Sequence, residues 1–174
     1  MLDLRPVGYV IGLLVAVLGA AMVGPLLFDL YEGDPEWKTF LQSSVITTTI
    51  GAIVALACAN GVSAGLNVRL SFLLTTLVWI ALPAFGALPF IFGETDLSIV
   101  DAMFEAVSGM TTTGATAIAG LETHSYGILL WRGILQWLGG LGIVIVAMIF
   151  LPVMKVGGMQ FFQSEGFDTL GKSL

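Results

Sequence analysis

Four apolar runs dominate this sequence: Val7–Phe28, Thr39–Asn60, Leu70–Phe92 and Tyr126–Leu151. Each is long enough to cross, as a helix, a hydrocarbon core of about 30 Å. Lipid rather than water must then be the main solvent, and the composition agrees. Only 10% of residues are charged and 57% are hydrophobic, with a mean hydropathy of +0.99; a soluble domain carries about 25% charged residues. The net charge of -6 comes mostly from acids between the runs, and no Lys/Arg stripe offers a nucleic-acid surface. The first run exceeds the roughly 7–15 apolar residues of a signal peptide and lacks an Ala-x-Ala cleavage site, so it reads as a retained span. The expected fold class is an all-α membrane protein with about four transmembrane helices, one re-entrant pore half-helix and a filter loop.

Details within the runs point to how they pack. The second carries Gln42, Ser43, Ser44, Thr47, Thr48 and Thr49 in its first half, which predicts a face buried against protein. Pro83 and Pro89 should kink the third run or end its regular helix early. Gly8-x-x-x-Gly12 reads as a packing face, and Gly139, Gly140 and Gly142 allow close backbone approach in the last run. Cys58 and His124 each stand alone and offer no zinc-ligand spacing; they read as a buried thiol and a surface imidazole.

A cytoplasmic amino terminus puts Arg5, Arg69, Lys155 and Lys172 inside, against Lys38 and Arg132 outside, in keeping with the positive-inside rule. The acidic connectors Asp29–Glu36 and Glu94–Asp96 then face outward, where they would concentrate cations.

The stretch between the third and last runs is the informative one. Ser98–Ser108 reads as a helix, with Ser98 and Asp101 at capping-box spacing and Gly109 as its stop. Val100, Phe104 and Val107 supply an apolar stripe. Eleven residues rise only about 16 Å, half a bilayer, so this helix cannot cross. An interfacial amphipathic helix is the alternative, but its polar face carries acids and no Lys or Arg, the wrong chemistry for anionic lipid.

The run Met110-Thr111-Thr112-Thr113-Gly114-Ala115-Thr116-Ala117 follows. A cation filter needs spaced backbone carbonyls that replace the ion's hydration shell. Aligning them demands unusual backbone conformations, which glycine adopts readily. Thr-Thr-Thr-Gly on its own is also an ordinary polar turn. The order of span, capped half-helix, Thr/Gly loop and span is that of a membrane–pore–membrane unit. Glu105 either holds the loop through backbone amides or is solvated at the mouth; intramembrane acids are functional candidates by default. Arg132 is explained by snorkelling, with pairing to Glu105 or Glu122 as the alternative.

The run Asp101-Ala-Met-Phe-Glu105-Ala-Val-Ser-Gly109-Met-Thr-Thr-Thr-Gly114-Ala-Thr resembles the first pore helix and filter of the Trk/Ktr/HKT potassium-transporter superfamily, most closely its bacterial TrkH-type branch. Trp131-Arg132-Gly-Ile-Leu-Gln136-Trp137-Leu-Gly139-Gly140-Leu-Gly142 resembles the start of the following inner helix, and Leu151 to Gln160 its cytoplasmic exit.

The resemblance implies three parts: an amino-terminal helix hairpin at 1–66, a membrane–pore–membrane repeat at 67–157 and a connector at 158–174. The pore helix would occupy about 98–109 and the filter loop about 110–117. The carbonyls of Thr111, Thr112, Thr113, Gly114 and Ala115 would form one quarter of the filter, with K+ held by Thr112, Thr113 and Gly114. K+ is the transported ion, and no bound cofactor is implied.

The family carries four such repeats around one path, so this one-repeat chain is expected to be the amino-terminal fragment of a longer protein or to assemble with further copies. The implied partners are those repeats, membrane lipid and a cytoplasmic nucleotide-binding regulatory ring; the implied location is the bacterial cytoplasmic (inner) membrane. The expected function is potassium ion transport, with no enzyme activity. The alternative is a non-conducting structural subunit packed in a larger complex.

Overall fold

In the computed structural model, which describes residues 3–64 and 68–146, every regular element is helical. The elements run α1 (Arg5–Ala21), α2 (Val23–Glu32), α3 (Trp37–Cys58), α4 (Val68–Gly86), α5 (Leu88–Phe92) and α6 (Ile99–Met110), followed by α7 (Tyr126–Val146). Short 3-10 turns span Ala59–Ala64 and Leu121–Thr123. Four stretches are long and apolar enough to cross a membrane: Arg5–Glu32, Trp37–Gly61, Arg69–Phe92 and Tyr126–Val146. The chain divides into two compact units after Gly139, and the second is represented among the described residues by 140–146. The connector expected at 158–174 and the exit at Leu151–Gln160 lie outside the described residues.

Prolines punctuate two of the four spans. Pro25 has no N–H to offer the Ala21 carbonyl, and the first span breaks at Met22 into α1 and α2. Pro83 sits inside α4 and Pro89 in the first turn of α5, so the third span breaks at Ala87. That break leaves the Gly86 carbonyl free to accept the Trp131 indole N–H at 2.9 Å.

α1 lies along α3 at a crossing made of small residues. A Cβ placed on Gly12 would sit 2.5 Å from the Ala55 nitrogen and 2.8 Å from the Gly51 oxygen. Small residues at a crossing let backbones approach where lipid offers no competing hydrophobic drive. The expected polar face of α3 is buried in part: Ser43, Ser44 and Thr47 are buried, with Ser44 Oγ donating to the Gly19 carbonyl at 2.8 Å, while Gln42 and Thr49 are exposed. The core proper joins α1 and α3 to the elements from α5 onward. Leu18, Met22 and Phe40 meet Ala87, Phe90, Ala102, Ala106, Met110, Ile128, Trp131 and Leu135, with Phe40 edge-on to Trp131 at 6.5 Å between ring centroids.

Two acids expected to face water at an outer mouth are instead buried. Asp29 lies in the last helical turns of α2, and the loop proper is only Gly33–Glu36, opened by Gly33 in the left-handed conformation (φ 75°). Glu36 Oε1 accepts the Glu94 N–H at 2.8 Å, which ties the hairpin to the loop after α5. Burial pushes the Glu36 carboxyl above its ordinary value of 4.5, reinforced by the nearby Glu94 and Asp34 charges and opposed by the Glu94 N–H.

A carboxyl raised in the fold contributes stability below its unfolded pKa and loses it as pH rises through the folded value. Thermal melts of wild type and Glu36→Gln from about pH 5 to about pH 8 should therefore diverge in the variant's favour as pH rises. Parallel curves would mean that Glu36 is not raised.

Candidate functional site

The half-helix α6 has 12 residues and a length of about 18 Å. Its start is capped as the spacing predicts, with Ser98 Oγ accepting the Asp101 N–H at 3.2 Å. The reciprocal arm differs from a full capping box: Asp101 Oδ2 accepts the Ser98 hydroxyl at 2.7 Å rather than a backbone amide. The far end runs one residue past Gly109. This glycine is helical, and its value is clearance, since a Cβ there would lie 3.2 Å from Leu135 Cβ. Gly139 plays the same part from α7, where any Cβ would overlap the Met110 carbonyl.

α6 faces the opposite way from its apolar stripe. Val100 is 76% exposed, and Phe104 and Val107 are also exposed. The side turned inward carries Ala102, Glu105, Ala106, Ser108, Gly109 and Met110. In a lipid-facing protein the bulky apolar residues have no need to turn inward, while small and polar ones gain by close packing and hydrogen bonding.

Beyond α6 the chain turns back on itself. The Thr111 N–H donates to the Val107 carbonyl at 2.8 Å and the Thr112 N–H to the Gly109 carbonyl at 2.9 Å. The Ser108 carbonyl accepts from Thr113 N at 3.0 Å and from Gly114 N at 3.3 Å. Left-handed backbone occurs at alternate residues, Thr112 (φ 58°) and Gly114 (φ 76°). Glycine adopts this region at no cost. For β-branched Thr112 it is a true outlier that the surroundings must enforce.

Residues 111–117 are all exposed. Among the described residues, the carbonyls of Thr111, Thr112, Thr113 and Gly114 accept no hydrogen bond, whereas the Ala115 carbonyl accepts the Ser108 hydroxyl at 2.6 Å.

Glu105 holds the return limb. It is 1% exposed, and its Oε2 accepts the Ala117 N–H at 2.8 Å and the Thr116 hydroxyl at 3.1 Å. Its Oε1 forms an ion pair with Arg132 Nε on α7. Of the two roles open to Glu105 in the sequence, the structure shows the one through the loop. Snorkelling does not describe Arg132: its side chain is only 16% exposed and is turned to the acid. The pair joins α6, the loop and α7 at one point.

A short capped helix leading into an exposed loop, between helices long and apolar enough to cross a membrane, defines an all-helical membrane protein. The chain belongs to the TrkH family of cation transport proteins, whose model matches residues 36–173. It is 42% identical to the Trk system potassium uptake protein TrkH of Salmonella typhimurium over 163 residues, covering 92% of this chain and 33% of that protein. The Halomonas elongata protein TrkI, also named a Trk system potassium uptake protein, is 39% identical over 163 residues, covering 94% of this chain and 33% of its own length. The crystal structure of the potassium transporter TrkH from Vibrio parahaemolyticus superposes with a TM-score of 0.83 at 35% identity, covering 97% of this chain and 36% of that one. The chain thus spans about a third of the length of these relatives.

Breaking the pair from its two sides should not be equivalent. Arg132→Met leaves a buried carboxylate without its cation, at a cost of about 3–5 kcal/mol. Glu105→Gln leaves an arginine with partial access to solvent and a side-chain oxygen still able to accept from Ala117. Denaturation of the two variants should show the larger loss for Arg132→Met; equal losses would contradict the assignment of Glu105 as the buried, dependent partner.

Proposed function

We propose that the loop 110–117 is one quarter of a K+ filter and that the chain contributes to K+ movement across the membrane. The observation that carries this reading is the set of uncommitted carbonyls at Thr111, Thr112, Thr113 and Gly114 on an exposed loop. Carbonyls left without protein partners on an exposed loop are available to replace the water of an ion's hydration shell. In this reading Thr112, Thr113 and Gly114 hold the ion. Thr111 completes the row at the α6 end, and Ala115 adds an oxygen shared with Ser108.

α6 adds a field. Its carboxyl end, the partially negative end of the helix dipole, is directed at the loop and favours a cation there. The left-handed positions 112 and 114 set the direction of successive carbonyls, and the Glu105–Arg132 pair fixes the limb that follows. The chain's part is positioning; the ion is the cargo and no bond is made or broken.

A quarter filter needs three more quarters, so the partners in this reading are further pore repeats or further copies of the chain. The relatives' designation as parts of a Trk system supports further components, of which the family resemblance points to a cytoplasmic nucleotide-binding ring. A bacterial cytoplasmic membrane with the amino terminus inside fits the distribution of Arg5, Arg69, Lys155 and Lys172 against Lys38 and Arg132.

Gly114→Ala tests the reading. An alanine held left-handed costs about 1–2 kcal/mol, and a Cβ there meets only Gln136 Nε2 at 3.4 Å, so strain rather than collision is what changes. With the substitution at the native locus, cellular Rb+ uptake should lose about tenfold of its preference over Na+, at unchanged protein in the membrane. Unchanged preference would count against the filter. Failure of a thiol reagent to label cysteines placed at 111–116 would favour a packed, non-conducting subunit.

A further inference from the structure

Asp29 is fully buried on α2, in the amino-terminal hairpin rather than in the pore repeat. Its Oδ1 accepts the Gly127 N–H at 2.7 Å, and its Oδ2 accepts the Ser125 hydroxyl at 3.3 Å. The Ser125 oxygen in turn accepts the Ile128 N–H at 3.2 Å. The first turn of a helix leaves N–H groups without intrahelical partners. In α7, one is met by the adjacent serine and another by an acid 98 residues earlier in the chain. Negative charge at this end also suits the helix dipole.

Gly127 makes the arrangement possible, because a Cβ there would overlap the Asp29 carboxylate. Beside it, Phe28 lies edge-on to Tyr126 with centroids 6.0 Å apart. The hairpin thus grips the first turn of α7 through a polar and an aromatic contact on neighbouring residues. Arg132 lies five residues beyond Gly127, about 7.5 Å along the axis, and is paired with Glu105. Any axial shift or rotation of that first turn moves the guanidinium, and with it the carboxylate that holds Ala117 and Thr116.

We propose that Asp29 is a positioning residue for the loop 111–117. By fixing the start of α7 from the hairpin it sets the height of Arg132, and through the Arg132–Glu105 pair it sets the geometry of the return limb. The consequence for conduction rests on the reading of this loop as a filter; the structural half does not. A strut that only stabilises the fold is the competing account. Exchange at Ala117 separates the two, because a strut alone leaves the return limb unchanged, and Asp29→Asn is the control that keeps an oxygen accepting from Gly127 while the charge is gone.

The test uses the assembled native protein in lipid nanodiscs and reads hydrogen exchange at the loop amides of Thr113, Gly114 and Ala117 beside Rb+/Na+ preference. Asp29→Ala should speed exchange at Ala117 several-fold and lower the ion preference several-fold, and Asp29→Asn should restore most of both. Gly127→Ala, which evicts the carboxylate from the other side, should reproduce the Asp29→Ala effect. The double variant should be no worse than the worse single one, as expected for two ends of one contact.

Faster exchange confined to the first turn of α7, or additive effects in the double variant, would overturn the proposal. If the wild type shows no preference for Rb+ over Na+, the filter reading fails. The exchange at Ala117 still decides whether Asp29 positions the loop.

Discussion

A carboxylate buried in a protein surrounded by lipid has to be satisfied on every side, and the arrangement around Glu105 is the result. It sits on the inward face of α6 and takes a guanidinium from α7 on one oxygen, an amide and a hydroxyl from the loop on the other. Removing any partner leaves charge in a medium that cannot screen it. The half-helix, the return limb and the following helix therefore hold one relative geometry. The exposed turn 111–114 is suspended between the end of α6 and that fixed point, with Thr112 kept in a conformation it would not choose.

The hairpin supports this from behind. Its small-residue crossing at Gly12 and Gly51 packs α1 on α3. Its bulky residues Leu18, Met22 and Phe40 fill the space against Phe90, Trp131 and Leu135. Its two buried acids tie down the chain on either side of α6, Glu36 through the Glu94 amide after α5 and Asp29 through the first turn of α7. Polar contacts fix direction where apolar packing alone would tolerate sliding.

The spans were legible because length and hydropathy suffice to identify them. The Ser98 cap was legible because its signal is local. The inward face of α6 was not: Val100, Phe104 and Val107 follow the helical period of a core stripe, yet here the bulky side of the helix faces outward and Ala102, Ala106 and Gly109 face in. The break at Met22 has its signal in Pro25, whose ring leaves no N–H for the Ala21 carbonyl. Asp29 and Glu36 sit in an acidic run between spans, which locally reads as a solvated loop. Their partners at Gly127 and Glu94 are remote in sequence, and only the Ser125-x-Gly127 pattern at the start of α7 hints at an incoming group. The left-handed Thr112 left no trace at all, because its conformation goes with the amides of residues 112–114 being held by the Gly109 and Ser108 carbonyls rather than with its own preference.

We propose that the carbonyls of Thr112, Thr113 and Gly114 hold a dehydrated cation. The most direct measurement is anomalous diffraction from crystals of the assembled protein grown in Rb+, compared with crystals grown in Na+. Rb+ peaks in contact with these carbonyls are expected, with weaker or absent density there in Na+. A well-ordered loop 111–115 with no Rb+ peak against it would contradict the account.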